Sequence, residues 1–119
     1  MPVITPEDAP TFDMDNATIT GLASPTRGSA EIAAWRIQLK AGHASPVHSL
    51  DREEVFVVLD GSLTVRYEDA SETAHAGGAL IVAPERAFSI EGEGEAVCVF
   101  PVGGTAALDG QRIVPPWAV

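Results

Sequence analysis

A chain of 119 residues, 45% hydrophobic and 20% charged, is sized for one domain and excludes both two independent cores and wholesale disorder. Seven basic residues stand against seventeen acidic ones, for a net charge of −10. Such a surface repels phosphate backbones, excludes a nucleic-acid partner and disfavours anionic ligands unless a local arginine overrides the field.

Short β-rich runs separated by Gly, Pro, Asp and Ser dominate, and helical periodicity is scarce. Residues 1–16 read as an irregular arm, with three prolines by Pro10. A first strand is expected over Thr18 to Ala23, then a turn at Ser24 to Gly28. Ala30 to Lys40 is the first long strand, with Ala33, Trp35, Ile37 and Leu39 on one face and Ala34, Arg36 and Gln38 on the other. Ala41 to Asp51 is loop-like. Glu54 to Leu59 is the clearest strand. Asp60-Gly61 after it predicts a hairpin, with Ser62 to Glu68 returning. Asp69 to Gly78 reads as a polar loop, and Ala79 to Ala83 as a strand stopped by Pro84. Ala87 to Ile90 and Glu95 to Val102 are expected to pair around Glu91-Gly92-Glu93-Gly94. The single cysteine, Cys98, sits in the apolar run Ala96 to Phe100, so no internal disulfide forms. It reads as a buried strand residue, in keeping with a cytoplasmic setting. Residues 105–119 form a tail whose Pro115-Pro116-Trp117 cannot be a central strand and whose Trp117 packs at an edge or over a barrel mouth. No charged-then-apolar leader is expected, and the apolar runs fall far below the roughly 18 residues of a spanning helix, so no membrane partner is expected. About eight short strands at this spacing predict an all-β sandwich or barrel.

Two segments carry a family resemblance. From Gly42, five residues lead to His48; Leu50 follows after one residue, Glu54 after three more and Gly61 after six more. This resembles the first cupin motif, Gly-x5-His-x-His-x3-Glu-x6-Gly, with leucine at the second histidine. Gly78 and Pro84 resemble the second motif, Gly-x5-Pro-x-Gly-x2-His, with Arg86 at its glycine and Ser89 at its histidine. The resemblance implies a single-domain cupin over residues 1–119: two antiparallel sheets closing into a conical jelly-roll barrel, its core about 17–104. It also implies a homodimer.

In a metal-binding cupin three imidazoles and one carboxylate point into the barrel and hold a divalent ion. Here His48 and Glu54 remain, leucine donates nothing, and a serine hydroxyl is a poor ligand. The expectation is therefore no cofactor; the alternative is a divalent ion held weakly by His48 and Glu54. His43, Glu53 and His75 read as solvated. Three readings of His48 and Glu54 stand open: a paired structural remnant, an acid–base or substrate-orienting pair, and a residual metal site. If they are hydrogen-bonded, the carboxylate raises the His48 pKa while burial opposes it.

By the resemblance Leu50, Phe56, Val58 and Ser89 line the same cavity, and Arg36 and Gln38 are further candidates for it. A mostly apolar pocket with a few polar groups suits a small molecule. The expected function is small-molecule binding, with metal-independent proton transfer — isomerisation, cyclisation or dehydration — by His48 and Glu54. The alternatives are a non-catalytic binding or sensing module and a metal-dependent dioxygenase or isomerase with a reduced ligand set.

Overall fold

The computed structural model describes residues 2–119. Its strands are β1 (Thr11–Asp13), β2 (Ala17–Ala23), β3 (Ile32–Leu39), β4 (Ser49–Leu50), β5 (Glu54–Arg66), β6 (Ser71–His75), β7 (Ala79–Val82), β8 (Ser89–Pro101), β9 (Ala106–Leu108) and β10 (Gln111–Ile113). Two 3-10 turns, Pro25–Arg27 and Pro116–Ala118, complete the elements, with no α-helix among the described residues. No helix is long and apolar enough to cross a membrane.

All pairings are antiparallel. The larger sheet runs β1-β2-β3-β8-β5-β6, with β7 also pairing β5; the smaller runs β10-β9-β4. The two enclose one apolar core, in which Phe56, Phe88, Phe100, Leu63, Val58 and Val65 are almost fully buried. Alternation explains the choice of residues. On β3, Ala33, Trp35 and Ile37 are buried, while Gln38 is exposed and Arg36 half-buried.

The expected hairpin at Asp60-Gly61 is absent. β5 runs through it for 13 residues, and β8 runs equally far through Glu91–Gly94. What the dipeptide marks is a bulge: Val58 pairs with Ala96 and Asp60 with Glu95, leaving Leu59 as the extra residue. One extra residue reverses the inward parity. Glu54, Phe56 and Val58 are buried before the bulge, and Leu63 and Val65 after it. Gly61 and Gly94 face one another in register, both at positive φ (72° and 90°). A Cβ on Gly61 would run into the Glu93 carbonyl, and one on Gly94 into that of Asp60. The pair lets two long strands cross closely where each side bends.

Four segments read as arm, loop or tail also carry strands, the first being β1 within 1–16, which pairs with β2. β4 lies within 41–51 and β6 within 69–78, each on the border of a sheet. β9 and β10 lie in 105–119, where β9 returns to pair with β4 (Ser49 with Ala107, Leu50 with Ala106). The end of the chain is tied down as well. The Thr26 hydroxyl donates to the Val119 carbonyl (2.7 Å), and the Arg27 guanidinium to that of Trp117 (3.4 Å).

Candidate ligand cavity

One end of the barrel encloses a cavity of about 320 Å³. Its walls come from every layer: Ile19 of β2, Trp35 and Ile37 of β3, Phe56 of β5, Ile90 of β8, and Leu108 and Ile113 from the returning tail. Trp117 closes one side, its ring edge-on to Phe12 (5.9 Å between centroids) and tilted against Trp35 (6.2 Å). The polar side chains on the wall are Asn16, Ser45, His48 and Glu54, and none of the lining residues is a lysine or arginine.

Glu54, first residue of β5, is 5% exposed. Burial, unopposed by any hydrogen bond or neighbouring cation, pushes its pKa up to about 8. The carboxyl is therefore protonated at neutral pH and available as a donor. Cys98, behind it on β8, has its thiol raised well above the ordinary value, first by burial and second by the Glu54 charge.

His48 sits just before β4, held by a bridge in which its backbone pairs with Phe88. Its Nδ1–H donates to the Pro46 carbonyl (2.9 Å). A carbonyl only accepts, so Nδ1 carries the proton and the lone pair lies on Nε2. Burial lowers the His48 pKa, opposed by the Pro46 hydrogen bond. The direction is the reverse of that expected from a His48–Glu54 hydrogen bond, and among the described residues no such bond exists. Each group is instead desolvated on its own wall, so the cavity holds a neutral base and a neutral acid at the same pH.

The other expected site residues divide. Phe56 lines the cavity. Leu50 and Val58 are buried in the core without forming its wall. Ser89 is buried but off the wall, because Phe88 and Ile90 take the inward positions. The Phe88 ring lies 4.4 Å from that of His48 and edge-on to Phe56 at 6.5 Å. Arg36 and Gln38 do not belong to the cavity. They lie on the opposite face of β3, where Arg36 (2.6 Å) and Gln38 (3.2 Å) both donate to Glu95. The alternation that puts Trp35 and Ile37 inside sends these two out. His43, Glu53 and His75 are exposed. Asn16, Leu108 and Ile113 had no sequence signal, an asparagine before a strand reading as turn chemistry, whereas Trp117, expected at an edge or over the barrel mouth, lines the cavity.

A cupin metal would need more donors than this wall offers. Among the described residues no three His, Cys, Asp or Glu side chains converge. Where two further imidazoles would stand, the residues matching those motif positions are an isobutyl group in the core and a serine off the wall. The donor set does not fit a tightly held ion.

Fold and motifs together define a cupin. The chain belongs to the family whose model is described as auxin binding protein, which matches residues 9–90. Solved structures share the fold at low identity. The polyketide cyclase RemF from Streptomyces resistomycificus superposes with a TM-score of 0.74 at 15% identity, over 94% of this chain and 81% of that one. An RmlC-like cupin from Shewanella frigidimarina gives 0.70 at 19%, over 83% and 88%. Oxalate decarboxylase from Bacillus subtilis gives 0.72 at 17%, over 82% of this chain but 28% of that one. No curated protein matches the sequence.

Proposed function

We propose that this cupin is a homodimeric, metal-independent proton-transfer enzyme acting on a small, largely apolar molecule. The observation that carries the reading is geometric: a buried Glu54 carboxyl and a His48 whose Nδ1 is tied to the Pro46 carbonyl share one apolar cavity, where burial raises the first pKa and lowers the second. His48 Nε2 takes a proton from a carbon next to a carbonyl. Glu54 gives its proton to the carbonyl oxygen, and the product is the enol. Return of both protons to different positions is an isomerisation; attack of the enol carbon on a second carbonyl is a cyclisation. A polyketide cyclase among proteins of this fold is in keeping with that chemistry. Groups tuned near the operating pH give typical accelerations of about 10²–10⁴.

The test is exchange of the α-protons of β-tetralone, a neutral bicyclic ketone, for solvent deuterium, followed by NMR. Wild-type protein should accelerate exchange. Glu54→Gln and His48→Gln should each lose about 10²-fold or more. Chelator should change nothing. The rate should fall on the acid side as His48 protonates, below 6.5, and on the alkaline side as Glu54 ionises near 8. Exchange no faster with wild type than with the double variant would sink the enzymatic reading. The family's description as a binding protein favours a second one, ligand binding without turnover, which predicts saturable binding and no exchange.

A further inference from the structure

We infer that the cavity selects an uncharged ring compound bearing a carbonyl or hydroxyl, and rejects the carboxylate of the same size, because among the described residues its wall carries no lysine or arginine to meet a negative charge. The inference specifies the ligand class for the site proposed above and rests on that assignment of the site.

The argument is one of charge placement. Among the described residues, the cations next to wall positions are directed elsewhere, Arg112 beside Ile113 donating to Thr105 and pairing with Asp51 and Glu85. Lys40, beside the Met14–Asn16 rim, bonds Asp13 and the Met14 carbonyl, both at 2.7 Å. Arg36 bonds Glu95 on the outer face. Arg27 forms no ion pair among the described residues; it lies off the wall, reaching the Trp117 carbonyl at 3.4 Å. An anion entering the cavity would leave water for an apolar wall and meet no counter-charge, a loss of several kcal/mol. It would also approach a chain of net charge −10. A neutral ligand meets the wall on better terms. Phe12, Trp35, Phe56 and Trp117 offer ring faces and edges. The Glu54 carboxyl has no protein partner and can donate to a carbonyl or phenol oxygen, while His48 Nε2 can accept from a hydroxyl. Asn16, 8% exposed and on the wall, offers an amide that both donates and accepts. A volume of about 320 Å³ lies at the lower end for small-molecule sites, roughly 300–1,000 Å³, so the ligand is compact.

Calorimetry at neutral pH with β-naphthol and β-naphthoate, which share a ring system and differ in charge, tests this directly. The naphthol should bind at least about tenfold tighter, equivalent to about 1.4 kcal/mol. Met14 lines the cavity yet is 40% exposed, so Met14→Arg puts a cation at the rim without disturbing the core. It should shift the ratio of the two affinities about tenfold toward naphthoate. Naphthoate binding as tightly as naphthol to wild type, or no binding of either at millimolar concentration, would overturn the inference. Naphthol binding without β-tetralone exchange removes only the catalytic reading. Exchange together with tight naphthoate binding removes only this one.

Discussion

Burial of Glu54 makes the stability of the fold depend on pH. Below its ordinary pKa of 4.5 the carboxyl is protonated in folded and unfolded chains alike. Between 4.5 and about 8 the unfolded chain releases the proton and the folded one keeps it, so the stability present at low pH is progressively lost. Above about 8 both are ionised and the loss is complete. Glu54→Gln has no such slope. In urea unfolding it should match wild type near the acid end and exceed it by roughly 3–5 kcal/mol above the folded pKa. Equal pH slopes for the two proteins would mean that Glu54 is solvated. His48 acts in the opposite sense. Its lowered pKa gives stability present above 6.5 and lost as pH falls through the folded value, so His48→Gln should flatten the acid side. A protein that holds both groups neutral in one cavity sacrifices stability at both ends of the pH scale, and that cost marks the site as something other than optimised core.

The strand elements show where the sequence was legible and where it was not. Alternation sorted β3 into a face with Trp35 and Ile37 and a face with Arg36 and Gln38, because period-two patterning is written in the residues themselves, but it left open which face turns inward; the structure turns the first one in. The cupin resemblance, rather than alternation, implied that His48, Glu54, Phe56 and Val58 face the barrel interior; the first three line the cavity and Val58 is buried in the core. What failed was Asp60-Gly61. A left-handed glycine serves a two-residue turn and a bulge equally well, and only the partner strand decides between them. Here β8 continues past Gly94, so β5 continues too. β9 and β10 were invisible because three-residue strands have no period to detect, and with them went the Leu108 and Ile113 part of the wall. The bulge can be tested. Gly61→Ala and Gly94→Ala both place a methyl against backbone in a conformation that L residues avoid. Each should cost about 2 kcal/mol or more, read as a lower urea midpoint. Gly77→Ala, also at positive φ but with open space around its Cβ, should cost less. Equal losses at all three would show that the strands do not cross closely at the glycine pair.

At the scale of the whole molecule, the inner face of the large sheet is explained by core and cavity, and the outer face is not. Val57, Leu59 and Ile81 are 37%, 52% and 62% exposed. Register sets half-buried valines beside them: Val55 lies opposite both Ile81 and Val99, and Val57 opposite Val97. This is a continuous apolar sheet surface on three neighbouring strands, β7, β5 and β8, in a chain otherwise strongly acidic. Apolar faces of this kind pack well against a second sheet, and a twofold copy of the same face supplies one that is self-complementary. We expect the chain to dimerise through it, burying upwards of about 1,000 Å² in total. Sedimentation at micromolar concentration should give twice the chain mass. Leu59→Glu with Ile81→Glu places like charges on both sides of the contact and should give the monomer, folded by circular dichroism. Because the cavity opens on the inner side of the sheet, those variants should bind β-naphthol as wild type does. A wild-type monomer at all concentrations would leave the apolar face without this explanation. Loss of naphthol binding on dissociation would show instead that the partner copy helps to shape the cavity.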